Sequence, residues 1–270
     1  MKTLLIRSLT GLFFASAVIG SILFGQIPQA MVFGIFVVIG LHEFFTHFSN
    51  NKKPSIFYTS IVVGLLCYII LILDIICDSR FPFLIILPAL LLLYSAIQLW
   101  LKSASPIQDI GNMFFAFGYF VFPMYLFVHL NANEYTGYKE VIALFILIWT
   151  NDSLAYLTGW LIGKNKLFER ISPKKTWEGT IGGILGAVLA GYLIGIYLMP
   201  NTSIYWMICA IIIAPCAILG DLLESLFKRS VNIKDSGNLL PGHGGVLDRF
   251  DAAIFAIPFY FLWTHIYEVI

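Results

Sequence analysis

The chain has 270 residues, of which 59% are hydrophobic and only 11% charged, with a formal net charge of +1. Soluble domains carry about 45–50% apolar and about 25% charged residues, and a globule of this length has too little interior to hide the excess. A water-soluble globular protein is excluded; the near-zero net charge excludes nothing further, but its distribution along the chain is informative.

The apolar residues fall in nine runs, near 8–25, 28–48, 56–77, 82–101, 111–130, 141–163, 179–199, 203–223 and 251–267. About 20 apolar residues in helical form cross the hydrocarbon core of a bilayer. The runs are too long and continuous for the short alternating strands of a barrel, and a helix satisfies its own backbone hydrogen bonds in lipid. The sequence therefore predicts an all-α, polytopic integral membrane protein with about nine transmembrane helices. The first run, with Lys2, Arg7 and the small residues Ala15, Ser16 and Ala17, has the look of a secretory signal. It continues to Phe24 and a second run follows at once, so it is read as a retained helix.

Lys and Arg set the orientation. With nine spans, the N-terminus and the even-numbered connections share one side. That side holds Lys2, Arg7, Lys52, Lys53, Lys102, Lys164, Lys166, Arg170, Lys174, Lys175, Lys228, Arg229, Lys234 and Arg249, whereas the other holds only Arg80 and Lys139. The N-terminus is expected in the cytoplasm. Cys67, Cys77, Cys209 and Cys216 lie in or at the ends of apolar runs without C-x-x-C spacing, and are read as small packing residues.

Residues 1–105 carry few polar groups and are expected to serve as scaffold, lipid contact or subunit contact. Within them, His42, Glu43 and His47 imitate a zinc-protease helix. That site needs histidines at i and i+4; here the spacing is i+5, so the three are read as polar residues at the cytoplasmic end of the second helix. Residues 106–270 carry two long cytoplasmic loops, 164–178 and 224–250, and most of the candidate chemistry.

Run six contains Asn151, Asp152 and Ser153. A carboxylate at that depth costs about 3 kcal/mol on insertion scales and usually faces a cavity, so Asp152 is read as functional rather than as interhelical glue. The first loop contains Lys164, Lys166, Arg170, Lys174 and Lys175, then Thr176 and Glu178 before a Gly-rich helix. Charge alone fits phosphate and lipid headgroups equally; Ser172-Pro173 followed by the lysines and a helix N-terminus favours phosphate. The glycines of run seven (Gly179, Gly182, Gly183, Gly186, Gly191, Gly195) are read as helix-packing residues.

The last region is the densest. Asp221, Ser225 and Lys228 fall at i, i+4 and i+7 and share a face, with Arg229 next to it. Lys234 and Asp235 follow, then the turn Pro241-Gly242-His243-Gly244-Gly245, whose backbone suits close approach to an anion. Asp248, Arg249 and Asp251 open the last helix. Asp221, Asp248 and Asp251 are candidate oxygen ligands for a hard cation, with Lys228, Arg229, Lys234 and Arg249 as phosphate holders. No Cys/His cluster supports zinc.

The stretch Ser225 to Asp251, 27 residues containing Lys228-Arg229, Lys234-Asp235 and Pro241-Gly242-His243-Gly244-Gly245-Val246-Leu247-Asp248-Arg249-Phe250-Asp251, resembles the motif of the phosphatidate cytidylyltransferase (CDP-diacylglycerol synthase) family without departure. Ser172 to Gly179 is similar to the same family's second block, while residues 1–105 show only a general likeness in hydropathy. The resemblance implies transfer of a cytidylyl group from CTP to phosphatidate, making CDP-diacylglycerol and pyrophosphate for phospholipid biosynthesis. It implies Mg2+ with K+ as a second cation, Asp221 and Asp248 as metal carboxylates, and a homodimer. On this reading Lys228, Arg229 and His243 join the two carboxylates in catalysis, His243 by orienting or donating to an oxygen. Ser172, Lys174, Lys175, Thr176, Glu178, Lys234, Asp235, Gly244, Gly245 and Arg249 bind substrate, and Asp152 completes the metal shell or fixes a neighbouring cation. The partners are membrane lipid and the two substrates, with no nucleic acid, and the location is a bacterial inner membrane with the site facing the cytoplasm. The alternatives are a CTP-dependent isoprenoid-alcohol kinase, which would release CDP, and an ion-coupled transporter, which would bury its carboxylates near mid-membrane.

Overall fold

In the computed structural model each of the nine apolar runs lies in a helix. These are α1 (Lys2–Leu23), α2 (Gln26–Phe48), α3 (Pro54–Ile76), α4 (Phe83–Leu101), α5 (Pro106–Ala116) leading through a π-helical turn into α6 (Phe122–Leu130), α7 (Gly137–Ile162), α8 (Trp177–Tyr197), α9 (Ser203–Ser230) and α10 (Leu247–Val269). The structure describes all residues except 1, 50–52, 78–82, 134, 238–243 and 270, together with no side chains for 2–9, 83, 268 and 269. Among the described residues, seven helical stretches are long and apolar enough to cross a membrane: α2, α3, α4, α5 through α6, α7, α8 and α9. The protein is thus an all-α polytopic membrane protein. α1 adds a shorter apolar stretch, Thr10–Leu23.

Both long connections have regular structure within them. The loop at 164–178 holds a two-stranded antiparallel ribbon, β1 (Lys166–Phe168) and β2 (Ser172–Thr176). The first residues of the 224–250 stretch continue α9, which runs to Ser230. Glu224, Lys228 and Arg229 are good helix formers and extend the helix beyond the apolar run, and Lys228 and Arg229 in its last turn suit the helix dipole.

The chain forms two compact units, residues 1–134 with 235–249, and residues 135–234 with 250–270. In the first, α1–α6 pack around Phe33, Leu41, Tyr94, Met113, Phe120 and Phe127, all fully buried. Lipid offers no partner for a polar group, and the polar side chains of this unit accordingly bridge helices. Gln29 Nε2 donates to Phe127 O (3.0 Å), Asn131 Nδ2 to Gln29 Oε1 (2.7 Å) and Tyr68 Oη to Ala30 O (2.9 Å). The π turn, Phe117–Val121, precedes Pro123, which has no N–H to complete a regular turn.

In the second unit α7, α8 and α9 pack in sequence, with Trp206 stacked on Tyr260 of α10 at a centroid distance of 5.9 Å. The Gly-rich helix behaves as a packing element. A Cβ on Gly183 would stand 2.7 Å from Asn151 O, and one on Gly179 2.6 Å from Ala155 O, so α7 and α8 touch backbone to backbone as small residues permit.

Candidate active site

The second unit contains a cavity of about 610 Å³ bounded by α7, the β ribbon, α8 and α9. Its lining includes Asp152, Lys166, Lys174, Lys175, Thr176 and Asp221, beside Tyr156 and Trp160. Asp152 and Asp221 come from helices 69 residues apart in sequence, and the lysines from the ribbon between them. Lys175 Nζ lies 2.6 Å from Asp221 Oδ2, with their side chains 25% and 40% exposed. Asp221 Oδ1 also accepts from Ser225 Oγ at 3.3 Å. Neighbouring Asn151 is fully buried and donates from Nδ2 to Asp152 Oδ1 at 3.2 Å. The cavity lining therefore combines two acidic and three basic residues, with the Lys175 ammonium against Asp221, a charge pattern suited to a polyanion accompanied by a cation.

Local structure explains why the ribbon presents its lysines. Ser172 pairs with Phe168 and Thr176 with Lys166. The β2 strand then turns into α8 at Thr176, whose hydroxyl caps the helix by accepting from Gly179 N at 3.2 Å. Glu178, in the first turn, reaches back to the entry of the ribbon. Its carboxylate accepts from the backbone N–H groups of Lys164 (3.1 Å) and Asn165 (3.2 Å) and from Asn165 Nδ2 (2.7 Å). Both residues hold the ribbon to α8, and Thr176 lines the cavity beside Lys174 and Lys175.

Beyond the cavity on α9, Lys228 Nζ pairs with buried Glu224 Oε2 at 2.9 Å. Asp251 of α10 lies within electrostatic range of Glu224, Asp221 and Lys228. Gly220 allows this approach, since a Cβ there would meet Asp251 O at 2.5 Å. Arg229 is exposed and donates from Nη1 to Ile233 O at 3.2 Å. Lys234 is exposed. Among the described residues no group of three or more His, Cys, Asp or Glu side chains converges as a metal centre.

The first unit holds the other half of the motif. Asp248 Oδ2 accepts three hydrogen bonds, from Ser236 N (2.8 Å), Ser236 Oγ (3.0 Å) and Gly245 N (2.8 Å). Gly244 has φ +81, a conformation L side chains rarely adopt. Asp235 and Arg249 are exposed; His243, with Pro241 and Gly242, lies outside the described residues. The sequence reading missed Glu43 and Ser236. Glu43 is only 5% exposed, and it accepts from Val246 N (3.0 Å), Leu247 N (3.1 Å) and Ser236 Oγ (3.3 Å). No spacing rule finds such a contact, because its donors lie about 200 residues away and two of the three are backbone amides.

Comparison with known proteins gives a consistent outcome. A family model described as "Cytidylyltransferase family" matches residues 5–267. A Bacillus subtilis protein named phosphatidate cytidylyltransferase is 33% identical over 267 residues, which are 95% of this chain and 96% of that protein. Proteins of the same name from Haemophilus influenzae and Rickettsia bellii are 41% and 42% identical over 138 and 153 residues. Those alignments take in 49% and 54% of this chain and 48% and 65% of the relatives.

Proposed function

Because the chain belongs to the cytidylyltransferase family, and so is a membrane-embedded nucleotidyltransferase, we propose that it transfers the cytidylyl group of CTP to phosphatidate, yielding CDP-diacylglycerol and pyrophosphate. The observation that carries this reading is the cavity lined by Lys166, Lys174, Lys175, Asp152 and Asp221, with Lys175 against Asp221. Both substrates are anions that repel each other, and a site for them must gather positive charge.

A phosphatidate oxygen attacks the α-phosphorus of CTP. The new P–O bond forms as the bond from that phosphorus to the oxygen bridging to the β-phosphate breaks, and pyrophosphate leaves. Phosphate is nucleophilic without help, so the protein contributes position and charge. Lys166, Lys174 and Lys175 hold phosphate oxygens at the cavity wall. Lys228, Arg229, Lys234 and Arg249 brace the triphosphate or the lipid head, and His243 donates to an oxygen. The backbone at Gly244 and Gly245 approaches a phosphate.

The residues fit Mg2+. They offer hard oxygen donors, and Mg2+ ordinarily takes one or two carboxylates and completes its shell with phosphate and water, which a cavity with Asp152 and Asp221 supplies. Asp221 and, from the motif alone, Asp248 and Asp251 are the carboxylates assigned to it. When bound, it would offset negative charge on the phosphates and the leaving group. K+ as a second cation, the homodimer and the cytoplasmic face of an inner membrane come from the family resemblance and the Lys/Arg distribution.

The test is to incubate the purified protein with phosphatidate, Mg2+ and CTP labelled at the α-phosphate. Label in the lipid phase with equimolar pyrophosphate is the expected result. Release of labelled CDP with the γ-phosphate on a lipid alcohol would replace this reading by that of a kinase.

A further inference from the structure

We propose that Glu43 is a positioning residue for the reaction. It holds Ser236, Val246 and Leu247 in place so that Asp248 is presented in one fixed orientation. The inference rests on the nucleotidyl-transfer reading above.

Glu43 sits near the C-terminal end of α2, in a part of the chain otherwise devoted to apolar packing. Its two carboxylate oxygens are engaged in different ways. Oε1 accepts from Val246 N, while Oε2 accepts from Leu247 N and from Ser236 Oγ. Leu247 begins α10, so the carboxylate occupies the place where a helix start has unpaired N–H groups and favours negative charge. A local cap would come from a residue beside the helix; here it comes from a different helix 204 residues away.

The same segment carries Asp248. Ser236 N donates to Asp248 Oδ2, and the single Ser236 hydroxyl proton is shared between Asp248 Oδ2 (3.0 Å) and Glu43 Oε2 (3.3 Å). Gly245 supplies the third donor. Space is also reserved for the anchor. A Cβ on Gly237 would come within 2.8 Å of Glu43 Cδ, and one on Gly245 within 2.6 Å. Glu43, Ser236, Gly237, Gly245 and Asp248 therefore form one constructed unit with the carboxylate of Glu43 at its centre. With both oxygens taken by donors and the side chain buried, Glu43 acts through its neighbours and does not itself reach substrate.

The experiment compares the unmodified full-length protein with Glu43→Gln and Ser236→Ala in detergent. It reads three quantities: kcat and KM for CTP, the thermal midpoint, and hydrogen exchange of peptides covering 236–250 without substrate. In Glu43→Gln an amide NH2 replaces one acceptor and opposes a backbone N–H. The expected result is faster exchange at 246–247 and a kcat lowered by about tenfold or more, the scale of one lost charge-assisted hydrogen bond. Ser236→Ala should lower kcat in the same direction, and the double variant should lose less than the product of the two singles, as for groups in one network. A folded Glu43→Gln with unchanged kcat, even at a reduced thermal midpoint, overturns the proposal, as does unaltered exchange at 246–247. Should Glu43→Gln fail to accumulate, Ser236→Ala with unaltered kcat and exchange overturns it alone. An unmodified protein that forms no liponucleotide overturns the substrate reading instead.

Discussion

Lys175 Nζ and Asp221 Oδ2 meet at 2.6 Å across the cavity, one carried by the ribbon strand β2 and the other by α9. Lys175 also points to Ile218 O, one turn earlier on α9, at 3.4 Å. The ammonium thus bridges to the helix that carries the carboxylate. Partial exposure of both groups limits what this pair adds to stability; its value lies in placing opposite charges where substrate phosphates and a cation would meet.

The first prediction follows from that pairing. Asp221→Asn and Lys175→Met should each lower CDP-diacylglycerol formation on the order of 100-fold, the usual scale for removing an electrostatic stabiliser. Lys175→Met leaves Asp221 as an unbalanced negative charge beside the phosphates, so its defect should include a raised KM for CTP. The double variant should be less impaired than the product of the singles. Near-normal turnover by Asp221→Asn at saturating Mg2+ would remove that carboxylate from the metal role.

A second prediction concerns the ribbon. Thr176→Ala deletes the cap of α8 and should cost about 1 kcal/mol of stability, read as a lower thermal midpoint. Glu178→Gln weakens three hydrogen bonds to residues 164 and 165. Its fold should survive, because the site is exposed, while KM for CTP rises severalfold as Lys174 and Lys175 lose their fixed presentation. An unchanged KM would show that the ribbon is rigid without this clamp.

A third prediction tests the backbone contact of α7 and α8. Gly183→Val would drive a side chain into Asn151 O and Ala155 Cβ, at 2.7 and 2.9 Å from the first added atom. Neither obstacle is the end of a flexible chain, so the helices must separate and carry Asp152 away from the cavity. Loss of monodisperse protein in size-exclusion chromatography is the expected outcome. A Gly20→Val control, where nothing lies within 4 Å, should behave as the unmodified protein.

These residues also show why some features could be read from sequence and others could not. The helices were legible because long apolar runs have one solution in lipid, and the packing role of Gly183 because small residues at helical spacing have few other uses. Lys175 and Asp221 were each legible as charged groups in a motif, but not as a pair, since no local pattern joins a ribbon to a distant helix. The ribbon itself was invisible: Ser172-Pro173-Lys174-Lys175-Thr176 lacks the alternation of apolar residues by which strands are found. The contacts of Glu43 were not legible for a physical reason. Its neighbours at 42 and 47 suggest a metal pattern that fails, and two of its three partners are main-chain amides, identical in every residue but proline.

The last prediction concerns orientation, for which the Lys and Arg distribution is the argument. Cytoplasmic connections of membrane proteins are enriched in these residues, and the connection after α3 contributes only Arg80. Cys77 caps the C-terminus of α3 and is exposed, whereas Cys67, Cys209 and Cys216 are buried. The thiols therefore report one side of the membrane without the introduction of a new cysteine. A membrane-impermeant maleimide applied to intact cells should label the unmodified protein and fail to label Cys77→Ser. Labelling seen only in inverted vesicles would place the end of α3 in the cytoplasm and reverse the assigned topology. It would then put the ribbon lysines on the outer face, where no CTP is supplied, so this single measurement bears on the reaction as well as on the fold.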